Sequence, residues 1–194
     1  MKQAEPVLSP AESLQLIAGV MADTRHSLRP WKFVFLLWGW LILIASLLFF
    51  VLKEFTDFPA YFLPFPLLVA TGILVSIRHF RKHRYNSEGY ADHYVKQLWT
   101  ILGIAFGVVV IVSVIRQVPP FTYTMVIGGI GTLLTGRLIR FWPLVLGGVL
   151  FLALALGAVF TPDAYKPLLQ AAAVLGGYLL PGYLLGDQKQ QHAE

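Results

Sequence analysis

The chain has 194 residues, of which 57% are hydrophobic and 13% charged; a soluble domain carries about 25% charged residues, so an ordinary soluble fold is excluded. It contains no cysteine, which excludes disulfides and thiolate metal sites. The net charge of +5 follows the boundaries of the apolar runs, so it points to membrane topology and not to nucleic acid.

Residues 1–30 are mixed and polar, and no short apolar region with a small-residue cleavage site precedes the first long apolar run. That run therefore reads as a retained helix, not a leader. Within this cytoplasmic segment, Ser9-Pro10-Ala11-Glu12 has the form of a capping box with proline at the first helical position. Leu14, Ile17, Met21 and Leu28 then recur near helical spacing, which predicts a short amphipathic helix over 9–28. Such a helix lies on the inner leaflet, docks a cytoplasmic partner, or packs on the protein's own inner loops.

Residues 31–186 read as a six-helix transmembrane domain, with spans at 33–52, 59–77, 97–115, 120–139, 142–160 and 166–185. A bilayer core of about 30 Å needs roughly 20 apolar residues, and its backbone groups must be paired internally, so each run is expected to be a helix. Pro64 and Pro66 interrupt the second run; this places a helix start near Pro64 and leaves 59–63 in the outer interface. Arg137 must snorkel from the end of the fourth. The tail, 187–194, is cytoplasmic in this reading.

Lys and Arg set the orientation. With the N-terminus inside, the inner side holds Lys2, Arg25, Arg29, Lys32, Arg78, Arg81, Lys82, Arg84, Lys96, Arg137, Arg140 and Lys189, and the outer side only Lys53, Arg116 and Lys166. Trp31, Trp99 and Trp142 mark inner span ends, and Phe58, Tyr61, Phe121, Tyr123 and Tyr165 outer ones, as interfacial anchors do. The expected fold is an all-α membrane protein of about six transmembrane helices in three hairpins, both termini cytoplasmic, preceded by the short amphipathic helix.

Three runs carry a resemblance. Phe35-Leu36-Leu37-Trp38-Gly39-Trp40, Gly129-Ile130-Gly131-Thr132 with Gly136 after it, and Pro181-Gly182-Tyr183-Leu184-Leu185 resemble those of a group of small uncharacterised bacterial six-span integral membrane proteins. The resemblance covers nearly the whole chain. It implies a bacterial cytoplasmic (inner) membrane and carries no activity, cofactor or site residue.

Candidate sites follow from spacing. Thr124, Gly128, Thr132 and Gly136 form a four-residue stripe, and Gly103 and Gly107 a second close-approach pair. Small residues at this interval let helices approach closely, within the bundle or between chains, or line a cavity with hydroxyls. Pro181 cannot donate to the carbonyl of Gly177, so a helix break is expected there, with Tyr178 and Tyr183 beside it. Arg78, Arg81, Lys82 and Arg84 form a basic loop suited to anionic lipid headgroups. His79 and His83 lie in their positive field, which opposes a metal, and no metal site, cofactor site or catalytic residue is assigned.

No Asp, Glu, Lys, Arg or His falls between the interfaces, which counts against ion-coupled transport, and no nucleophile–base set appears. The functional expectation is a non-enzymatic accessory, signalling or assembly component acting through helix association, with another membrane protein or its own copies as partner. The alternative is a small channel or transporter for a neutral or passively conducted solute.

Overall fold

The computed structural model describes residues 29–56, 58–83 and 90–187. The expected helix over 9–28, Arg84 of the basic cluster and the tail beyond Asp187 lie outside these residues. Among the described residues every regular element is helical: α1 Arg29–Phe55, α2 Pro64–His83, α3 Tyr90–Arg116, α4 Phe121–Leu138, α5 Trp142–Val159, α6 Lys166–Val174, a π-helical turn Leu175–Leu179, and α7 Leu180–Asp187.

Proline opens most of these helices, where its missing N–H costs nothing. Pro64 begins α2, Pro119 and Pro120 precede α4, and Pro143 and Pro167 sit in the first turns of α5 and α6. Two tight turns close by the same device. At the end of α4, Arg140 takes φ 53°, its N–H donates to the Arg137 carbonyl (3.3 Å), and the Phe141 N–H donates to the Gly136 carbonyl (2.9 Å). At the end of α3, Gln117 takes φ 54°, and the Val118 N–H donates to the Ser113 carbonyl (3.0 Å). Both are Schellman motifs with a non-glycine residue in the left-handed position.

Four stretches are long and apolar enough to cross a membrane: Trp31–Phe55, His93–Arg116, Trp142–Val159 and Lys166–Leu185. Two helices are less apolar. The last turns of α2 carry Arg78, Arg81 and Lys82, and α4 is diluted by glycine and threonine and ends in Arg137. The helices also overrun the apolar runs. The basic residues expected in a loop from 78 onward sit instead on the exposed end of α2, because the helix continues to His83.

The closest pair in the bundle is α4 with α5. A Cβ added to Gly148 would lie 2.5 Å from the Leu133 nitrogen, and one added to Gly136 would lie 2.6 Å from the Val145 nitrogen, so these backbones meet where no side chain fits. In the expected hairpins these two spans belonged to different pairs; packing, not sequence adjacency within a hairpin, decides the tightest contact. Helix α1 packs on α2, with the Trp38 indole N–H donating to Ser76 Oγ (3.1 Å), and on α6 and the π turn. Helix α3 leans chiefly on α4. Of its apolar window only 6% is buried, against 50% for Lys166–Leu185.

Aromatic contacts mark the two ends of the bundle. Phe49 touches Tyr61, Phe65 and Phe121 at one end, with Phe50 near Tyr165. At the other, Trp31 lies 5.4 Å from the Phe80 ring and the Lys96 ammonium sits 5.3 Å over it.

Candidate functional site: a polar seam between α4 and α6

The polar groups of the core gather along α4. Thr132 Oγ1 donates to the Gly128 carbonyl (2.6 Å) and Thr135 Oγ1 to the Gly131 carbonyl (2.7 Å). Thr135 also accepts the Trp99 indole N–H from α3 (3.1 Å). Back-bonding of this kind pairs a hydroxyl locally when water is excluded.

Thr124 differs. Its hydroxyl lies 2.9 Å from the Phe121 carbonyl and 3.1 Å from the carboxamide of Gln170 on α6. A hydroxyl has one proton, so it donates to one of these and accepts from, or only faces, the other. The side-chain amide can turn to match, since its oxygen and nitrogen ends are assigned from the hydrogen-bond network. Whichever way it turns, one end of the Gln170 amide meets Thr124 and the other is left for the space beside it.

Tyr178 closes the seam. The π turn carries it inward, where its hydroxyl stands 3.5 Å from a Cβ added to Gly128 of α4. Its ring lies 5.0 Å from Phe151, 5.7 Å from Phe35 and 6.2 Å from Trp99, so this one side chain touches α1, α3, α4 and α5. The turn is held from behind by glycine. A Cβ on Gly147 of α5 would lie 2.9 Å from the Gly177 carbonyl oxygen, and one on Gly177 would strike the Phe151 ring. Wide turns of this type are rare, and they occur most often where a helix is adapted to a site.

Between these groups lies a cavity of about 20 Å³, lined by Ile42, Phe106, Thr124, Met125, Gly128, Phe151, Gln170, Val174 and Tyr178. Ile42 and Phe106 alone of this lining are half-buried, so the mouth opens outward between α1 and α3.

The residues singled out by spacing separate into two groups. Thr124, Gly128, Thr132 and Gly136 all point into the bundle, where Gly136 admits α5 and the others line or support the seam. Gly103 and Gly107 point the opposite way, and among the described residues nothing lies within 4 Å of a Cβ added to either. Around the expected break, Pro181, Gly177 and Tyr178 are buried together, but Tyr183 faces outward, its hydroxyl accepting the Trp40 indole N–H (3.2 Å). The two tyrosines therefore form no common site. The Gly177 carbonyl packs on Gly147 and is not turned toward a guest. Arg78, Arg81 and Lys82 are exposed at the end of α2, and His79 there stacks on Phe33 at 4.3 Å.

Sequence reasoning missed Gln170. Its signal was a lone amide inside the apolar run 166–185, overlooked because the search for intramembrane polar groups was confined to ionisable side chains.

Together these features define the class: an all-helical bundle with several helices apolar enough to span a membrane and a neutral hydrogen-bonding seam at its centre. No protein-family model matches the sequence, and neither a curated protein nor a solved structure matches it.

Proposed function

We propose that this chain is a six-span bacterial inner-membrane protein that acts by associating with another membrane protein or with its own copies, without catalysis. The observation that carries this reading is the outer face of α3. Among the described residues it is the least buried of the four apolar helices, and its Gly103–Gly107 pair has open space above it, whereas Gly128, Gly131, Gly136, Gly147 and Gly148 each face a filled neighbour. A small-xxx-small pair lowers the cost of close helix approach only when a second backbone arrives.

The six spans in three hairpins, with both termini in the cytoplasm, are supported by the distribution of charge. Lys96, Arg137 and the exposed end of α2 lie at one end of the bundle, while Lys53, Arg116 and Lys166 lie at the other. The basic end suits an anionic cytoplasmic leaflet and its headgroups. The bacterial assignment rests on the motif resemblance. The alternative, a small channel or transporter, has less behind it: the threonine hydroxyls turn to their own backbone, and the cavity admits about one water.

The absence of native cysteine makes the test direct. Single substitutions Ile104→Cys and Gly107→Cys should cross-link in native membranes, to a second copy or to another protein identified by intact mass. Gly103→Leu should abolish the adduct and leave the chain folded. A lack of any adduct from either position, with Gly103→Leu matching wild type in particle mass, sinks the proposal.

A further inference from the structure

We propose that the cavity between Thr124, Gln170 and Tyr178 is a binding site for one water molecule, which completes the polar seam between α4 and α6. The inference is independent of the association reading, since it concerns the interior of a single chain.

Size and chemistry agree. The cavity of about 20 Å³ exceeds the roughly 10–15 Å³ that one water requires, and falls well short of a larger guest. Buried water is held where it finds about 2–4 polar partners, while apolar cavities of this kind stay dry. Here the partners converge from two helices. The end of the Gln170 amide turned away from Thr124 offers a donor pair or an acceptor with two lone pairs. The Tyr178 hydroxyl, on the same lining, offers a donor and lone pairs to a water. Thr132 cannot donate to Tyr178, because its proton is committed to the Gly128 carbonyl at 2.6 Å. The seam then runs Thr124, Gln170, water and Tyr178, with the Thr132 hydroxyl paired to the Gly128 carbonyl beside it. In lipid, an amide end without such a partner costs far more than at an aqueous surface, so the same water also explains why a glutamine is tolerated in α6. Exchange with the outside passes the half-buried Ile42 and Phe106.

The test uses the full chain in lipid nanodiscs with ¹⁵N-labelled glutamine. Magnetisation is transferred from water protons to side-chain amides, and the Gln170 signal is assigned by its loss in Gln170→Leu. Gln97, exposed at the start of α3, serves as the positive control. Transfer to Gln170 is expected in wild type. Gly128→Ala is expected to abolish it, because the new methyl would stand 3.5 Å from the Tyr178 oxygen and 3.6 Å from Phe151, inside the cavity and without a backbone clash. Transfer to Gln97 but none to Gln170 in wild type overturns the proposal, whatever the variant does. Persistent transfer to Gln170 in Gly128→Ala overturns it too, because the methyl stands where the water would lie.

Discussion

Gly147 and Gly177 meet backbone to backbone: a Cβ on the first would lie 2.9 Å from the carbonyl oxygen of the second. The contact fixes the π turn against α5 and so aims Tyr178 at Gly128 of α4. With backbone on both sides nothing can yield by a change of rotamer. Gly147→Ala is therefore expected to destabilise the protein by about 1–3 kcal/mol, the usual cost of overpacking. A lowered thermal midpoint in mild detergent checks this; an unchanged midpoint means that α5 and the π turn lie farther apart.

The two stripes of small residues at four-residue intervals should respond oppositely. Gly136→Ala meets the Val145 backbone and should lower stability by about 1–3 kcal/mol. Gly107→Ala meets open space and should leave the isolated chain unchanged or raise its stability by up to about 1 kcal/mol, the helix-propensity difference. Monomer unfolding in detergent measures both, and comparable losses would place a neighbour on α3 within the same chain.

Thr124 and Gln170 should be energetically coupled. A double-mutant cycle with Thr124→Val and Gln170→Leu is expected to give about 0.6 kcal/mol, rising to about 1.7 at most, as for hydrogen bonds between membrane helices. Additive losses would show that the 3.1 Å contact is not maintained.

Arg140 adopts a left-handed conformation while its side chain is exposed. A non-glycine residue there costs about 1–2 kcal/mol, so Arg140→Gly should raise the midpoint in detergent by an amount corresponding to about 1 kcal/mol. A lowered midpoint would assign the Arg140 side chain a contact of its own.

Trp99 ties α3 to α4 through its indole N–H and Thr135. Trp99→Phe keeps most of the ring and loses the donor, with an expected cost of about 0.6–1.7 kcal/mol. Because α3 leans on little else, the loss should appear first as faster proteolysis or exchange in α3 while the α4–α5 pair remains protected.

The all-helical class and several helix starts were legible in the sequence because they depend on quantities that run along the chain, whereas the helix ends overran the apolar runs. Runs of about 20 apolar residues, prolines at the first helical turn and the clustering of Lys and Arg need no knowledge of neighbours. The start of α2 at Pro64 and the Pro181-linked irregularity in the last span were readable for the same reason: proline removes a donor wherever it stands. Which face of each helix is used was not readable. Gly103–Gly107 and the Thr124, Gly128, Thr132, Gly136 stripe share a four-residue interval, yet among the described residues the first is open and the second filled. Tyr178 and Tyr183 occur in near-identical runs, yet one is buried against four helices and the other exposed. In an apolar chain both sides of a helix look alike, since lipid and protein interior select the same side chains. Only the tertiary structure, by bringing Gln170 to Thr124 across 46 residues and Gly147 to Gly177 across the α5–α6 turn, decided where the polar seam lies.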